Sequence, residues 1–196
     1  MEEQLSLQKN PHMIKIRRAF GFLFIAVSIA VGVSAVVSEV VFVNKAPLYY
    51  YAIIWFATFS VTFAILFSRF RNVISSIRSR MKNSINWSTR AKALNGLCWA
   101  GPFAAIGLFP YLYHYLILLG IGLGNLSTYL LMKKHSGLDN QEQMIVGLIS
   151  LAAIPIAAGI DMTLFIARQD IAVVLSRLLI SVAYGAGGIY ALIAKE

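Results

Sequence analysis

Six apolar stretches, at Ala19–Val43, Pro47–Ser68, Lys92–Phe109, Tyr111–Met132, Gln143–Met162 and Ile171–Ile193, take up about two thirds of this 196-residue chain. Each has the length that a helix rising about 1.5 Å per residue needs to cross roughly 30 Å of hydrocarbon. The expected fold is therefore all-α: a polytopic integral membrane helical bundle, a single transmembrane domain over 1–196. It consists of six transmembrane helices in three hairpins plus one cytoplasmic interfacial amphipathic helix. The residues left for termini and loops are too few for a soluble catalytic domain, so function is expected in the helices or in what binds them.

Composition agrees. Apolar residues make up 59% and charged residues 13%, against about 45–50% and about 25% in soluble domains. The net charge of +9 suits a nucleic-acid binder only if the cations line a groove interleaved with aromatics, and here they flank the apolar runs. No nucleic-acid partner is expected. A lone cysteine, Cys98, excludes an internal disulfide and a multi-thiol metal site. It reads as a small hydrophobe of the third span.

Charge also sets the expected orientation. Lys15, Arg17 and Arg18 before an apolar run resemble a secretory signal, and Val33-Ser34-Ala35 resembles a cleavage site. The run continues to Val43, however, which is the length of a retained span. With the N-terminus inside, fourteen of the seventeen Lys and Arg lie on the cytoplasmic side, Lys45 and Arg168 lie outside, and Arg177 lies within the sixth span. That bias places both termini in the cytoplasm and the protein, by economy of loops, in the cell membrane.

Outer turns are expected at Asn44–Ala46, around Pro110, and at about Thr163–Asp170. In the inner loop over 70–90, Phe70, Val73, Ile74, Ile77, Met81 and Ile85 recur at helical spacing. Arg71, Arg78, Arg80 and Lys82 accompany that stripe, so an amphipathic helix contacting anionic lipid headgroups is expected, each cation contributing about 1 kcal/mol near the surface. In the next inner loop Gly137 is suited to close the fourth helix in a left-handed conformation. Asp139 followed by Glu142 reads as a helix start rather than a metal site.

Spans in lipid associate through close packing of small residues and through interhelical hydrogen bonds. Small-residue seams run along Ala26, Ala30, Ser34 and Ser38; Gly96, Ala100 and Ala104; Gly120 and Gly124; and Ser181 and Gly185 with Gly188 one turn on. Some are expected to pack the monomer, and a further one is available for a homo-oligomer or for other membrane subunits. Pro102 and Pro155 each interrupt a span within Pro-x-Ala-Ala, a faint sign of a parallel repeat of the second and third hairpins.

Ionisable residues within spans are costly and are candidate functional groups. The span centres carry none. Glu39, His114 and Arg177 share a shallow depth near the outer surface, joined by Asp161 if the fifth helix runs on. Equal depth suggests a Glu39–Arg177 ion pair with His114 and Asp161 beside it. Tyr49, Tyr50, Tyr51, Trp55, Tyr111, Tyr113 and Tyr115 mark an outer aromatic belt, and Asn95 and Asn125 are expected to bond between helices.

No enzyme signature, metal centre or cofactor motif is present: His12, His114 and His135 are scattered across the topology, and there is no His-Glu-x-x-His, G-x-S-x-G or phosphate loop. The expected function is that of a non-catalytic subunit or scaffold of a membrane complex. The alternative is a small-solute transporter or channel acting as a homo-oligomer.

Overall fold

A computed structural model of the chain describes residues 11–47, 49–69, 75, 78, 87–137, 139–164 and 167–194. It is all-helical over these residues, with six long helices: α1 (Pro11–Val43), α2 (Tyr49–Arg69), α3 (Thr89–Ala105), α4 (Tyr113–Ser136), α5 (Gln141–Leu164) and α6 (Gln169–Ile193). A 3-10 turn at Pro110–Leu112 leads into α4. Five of the six, all but α3, contain stretches long and apolar enough to cross a membrane: Arg17–Val41, Tyr49–Ser68, Pro110–His135, Gln141–Leu164 and Asp170–Ile193. The chain thus has the make-up of a multi-pass membrane protein.

The exception, α3, starts and stops earlier than the apolar run over Lys92–Phe109. Ser88 caps it, its hydroxyl accepting from the Ala91 amide at 3.3 Å, so Arg90 and Lys92 fall inside its first turn. It ends at Ala105, one turn after Pro102. Pro155, by contrast, sits in the middle of α5. The two Pro-x-Ala-Ala segments therefore occupy different places in their helices, which removes the basis for a repeat. The amphipathic stretch expected over 70–90, with Arg71, Arg80 and Lys82, lies largely outside the described residues. Ser75 and Arg78 are helical and exposed.

Helix ends follow local chemistry. After α1, Lys45 adopts φ 50° and the Ala46 amide reaches back to Val41 O at 3.0 Å, a left-handed cap normally given to glycine. Gly137 closes α4 at φ 63°, where a side chain is strained. The start of α5 is displaced by one residue from the Asp139/Glu142 expectation. Asn140 precedes the helix, and its amide donates to Gln143 Oε1 at 3.3 Å. Glu142 is almost wholly buried, 4.0 Å from Arg17 Nε.

The principal packing order is α2–α1–α6–α5–α4–α3. Buried Phe20, Phe24, Val31, Leu118, Ile121, Val146, Ala153, Ala157, Ile180 and Ala183 make the core from α1, α4, α5 and α6. The two flanking helices, α2 and α3, have one main neighbour each.

The α1–α6 joint brings two backbones into close approach. A Cβ on Gly188 would lie 2.9 Å from the Ile25 amide nitrogen and 3.0 Å from Gly21 O, and one on Gly185 would lie 3.0 Å from Ser28 Oγ. That approach brings two hydroxyls into reciprocal bonds: Ser28 Oγ donates to Ser181 O at 2.7 Å and Ser181 Oγ to Ser28 O at 2.8 Å. The contact runs along Gly21, Ile25, Ser28 and Gly32 on α1 and Ser181, Gly185, Gly188 and Leu192 on α6. Both sets step by four, three and four residues, which holds a contact on one helix face. Ala26, Ala30 and Ser34 are buried on another side of α1.

On the far flank, α3 and α4 join through Gly124, whose missing side chain admits the Trp99 ring, and through Gly120, which admits Phe103. Asn95 Oδ1 accepts from Ser127 Oγ at 2.7 Å and Thr128 Oγ1 at 3.0 Å, and Trp99 Nε1 donates to Thr128 Oγ1 at 3.1 Å.

Candidate functional site: a buried polar cluster

Polar side chains gather at the end of the core where α1 finishes and α4 begins. The helix α5 continues past Met162 to Leu164, which carries Asp161 to the depth of His114. His114 Nε2 lies 2.6 Å from Asp161 Oδ2, and the Tyr115 hydroxyl donates to the same oxygen. The imidazole is flanked by the rings of Tyr113 and Tyr115, with centroids 5.1 and 3.9 Å away. Only 7% of His114 is exposed.

These contacts decide the chemistry of the dyad. A carboxylate offers acceptors alone, so Nε2 and the tyrosine hydroxyl are both donors. The other ring nitrogen, Nδ1, is buried without a partner. In the Nε2–H tautomer it presents a bare lone pair.

Arg177 of α6 lies near enough to Tyr113 for its charge to act on the phenol, and Tyr113 also feels the charge of Asp161. Glu39 of α1 feels Asp170, Arg177 and Arg168, and its Oε1 is buried without a hydrogen bond. The four ionisable residues thus share one end of the bundle, but the pairing differs from that suggested by equal depth. Asp161 closes on His114 and Arg177 on Tyr113, while Glu39 and Arg177 act on each other as charges. At the rim, Arg168 pairs with Asp170 at 3.2 Å. Trp55 Nε1 donates to Ser38 Oγ at 3.1 Å, tying α2 to α1 just below.

Two other polar groups lie away from this cluster. Asn125, expected to bond between helices, is buried at mid-helix and donates to Ile121 O of its own helix at 2.9 Å. At the opposite end of the bundle, the Arg17 guanidinium lies 5.0 Å from the centre of the Tyr190 ring, and Tyr190 donates to Gln141 Oε1. Tyr115 and Tyr190 take a polar role from their partners on α5, Asp161 and Gln141.

The packing candidates divide in the same way. Ala26, Ala30, Ser34, Gly120, Gly124, Ser181 and Gly185 lie against neighbouring helices, whereas Gly96 and Ala100 of α3 face outward. A Cβ at Gly96 meets nothing within 4 Å. Among the described residues no group of three or more His, Cys, Asp or Glu is placed to hold a metal.

Comparison with protein families, with curated proteins and with solved structures found no match.

Proposed function

We propose that the chain is a non-catalytic subunit of a membrane assembly, crossing the bilayer six times with both termini on the basic cytoplasmic side. In this reading α3 is the sixth crossing. Its 17 residues rise about 26 Å, a few ångströms short of the hydrocarbon thickness, and Leu108 and Phe109 after it make up the difference. Short spans are accommodated in part by association with other helices.

The observation that carries the proposal is the free face of α3. Its neighbour α4 occupies the side bearing Asn95, Trp99 and Phe103, while Ala93, Gly96, Leu97, Ala100 and Ala104 are exposed on the other. Small residues at four-residue spacing allow close helix approach in lipid, and the glycines of α1, α4 and α6 already serve that purpose within the chain. The occupant is a transmembrane helix of a different polypeptide. A second copy of α3 in the same orientation would bring Arg90 and Lys92 against their like, whereas a helix with neutral or acidic residues at its inner boundary complements them. In this reading Arg71, Arg78, Arg80 and Lys82, which precede α3 in the sequence, supply cations suited to anionic lipid headgroups.

Native mass measurement after extraction in a mild detergent tests this. A complex with another polypeptide, lost in Gly96→Leu with Ala100→Leu, supports it. A monomer, or an oligomer of this chain alone that survives the double substitution, refutes it.

The buried cluster favours a second reading, a small-solute transporter or channel acting as a homo-oligomer, because intramembrane charges commonly mark solute paths. Solute flux into reconstituted vesicles that falls in Asp161→Asn is the corresponding test.

A further inference from the structure

We infer that the connection between α3 and α4, residues 106–112, is immersed in lipid, with acyl chains rather than water or protein covering its exposed side chains. This placement rests on α3 being a crossing, and adds where the far end of that crossing lies and what it touches.

Composition is the first ground. No Asp, Glu, Lys or Arg occurs from Ala93 to Met132, so the turn sits inside an uncharged run that begins in α3 and ends in α4. The other two turns at this end of the bundle are marked by charge: Lys45 follows α1, and Arg168 and Asp170 stand at the start of α6. In the α3–α4 turn Leu108 is 77% exposed, Tyr111 70% and Phe109 45%. Large apolar side chains gathered at a tip are costly in water and favoured in hydrocarbon.

Backbone bonding is the second. A connection within hydrocarbon must satisfy its own amides, because no water is there to do so. The amides of Ile106, Gly107, Leu108 and Phe109 donate to the carbonyls of Phe103, Ala104 and Ala105 over 2.9–3.2 Å, and the Leu112 amide donates to Phe109 O at 3.0 Å. The Tyr113 amide donates to Pro110 O, and Pro110 has no N–H to satisfy. The chain thus turns while keeping these donors occupied.

Length agrees. From the basic residues of its first turn, Arg90 and Lys92, α3 rises about 26 Å, short of roughly 30 Å of hydrocarbon, so the turn begins before the far boundary is reached. A tip that docks on protein would carry a polar rim. Here Tyr111 is the sole polar side chain among residues 106–112, and tyrosine suits the boundary between acyl chains and headgroups.

Spin labels on single cysteines test this in a Cys98→Ala form of the full chain, reconstituted in phosphatidylcholine vesicles. Molecular oxygen concentrates in hydrocarbon, whereas a nickel chelate stays in water. Leu108→Cys should be open to oxygen, with chelate access at least about 10-fold below that of Lys45→Cys, since drawing the tip into water exposes its large apolar neighbours. Tyr111→Cys should favour oxygen in the same sense, less strongly, and serves if Leu108→Cys fails to fold. Gly96→Cys, where a Cβ meets nothing within 4 Å, reports on α3 itself. Chelate access at the turn equal to that at Lys45→Cys, with Gly96→Cys open to oxygen alone, overturns the inference and leaves the crossing intact. Chelate access at Gly96→Cys as well refutes the crossing and the inference with it. A Leu108 label shielded from both probes overturns the inference in favour of a protein contact.

Discussion

Gly188→Ala tests the claim that contact between α1 and α6 is limited by backbone. The new Cβ would stand 2.9 Å from both Ile25 Cγ1 and the Ile25 amide nitrogen, and 3.0 Å from Gly21 O. Side-chain rotation relieves the first contact but not the others, so α1 and α6 must separate by about 0.5 Å to reach ordinary van der Waals distance. Seven residues away on the same face, Ser28 and Ser181 exchange bonds of 2.7 and 2.8 Å. A shift of that size takes both to the edge of hydrogen bonding. Interhelical bonds in membranes contribute about 0.6 kcal/mol each, and the parted surface forfeits a further ~1–2 kcal/mol of packing. Alanine returns at most about 1 kcal/mol of helix propensity.

The net expectation is a loss of about 1–2 kcal/mol, measured by reversible unfolding in mixed micelles of mild and denaturing detergent. Gly159→Ala is the control, because a Cβ there meets nothing within 4 Å and the propensity gain stands alone. The two variants should differ by about 2–3 kcal/mol. Ser181→Ala should destabilise the parent but add little in Gly188→Ala, where its bonds are already stretched. Equal stability of the two glycine variants, within about 0.5 kcal/mol, would refute the reasoning.

Lys45→Gly should stabilise the protein by about 0.5–1 kcal/mol, because Lys45 holds a left-handed conformation at the end of α1; an unchanged or lower thermal midpoint would count against that cap. Asn95→Ala removes the acceptor shared by Ser127 and Thr128 and should cost about 1–2 kcal/mol. It should also speed alkylation of Cys98 on the loosened α3. Arg17→Met leaves the almost wholly buried Glu142 carboxylate without its arginine and should cost about 2–4 kcal/mol. Glu142→Gln, which removes the buried charge itself, should cost less in the same unfolding assay.

Helical content and the five long apolar spans were legible because they depend on length and composition within one segment. So was Gly137 at the end of α4, whereas the place of Asp161 in the cluster hung on how far α5 runs, which the sequence left open. The start of α5 lies one residue beyond the Asp139 expectation, because Asn140 and Glu142 are drawn into the buried interior. The end of α3 was misplaced because apolar character continues through Ile106–Phe109 after the helical hydrogen bonds have stopped.

Rotation about the helix axis is what the sequence conceals. Small residues every four positions, as in Ala26, Ala30, Ser34 and Ser38, advance about 40° per step around a helix of 3.6 residues per turn, so such a seam winds off any straight neighbour. The contact that joins α1 to α6 uses four-three-four spacing, and Ile25, which is not small, belongs to it because Gly188 opposite makes room. The same argument governs the polar cluster. Distance from the span ends placed Glu39, His114, Asp161 and Arg177 at one depth, but depth is a single coordinate. Azimuth decides that Asp161 meets His114 and Tyr115, and that Arg177 turns to Tyr113. Azimuth is set by packing of the whole core.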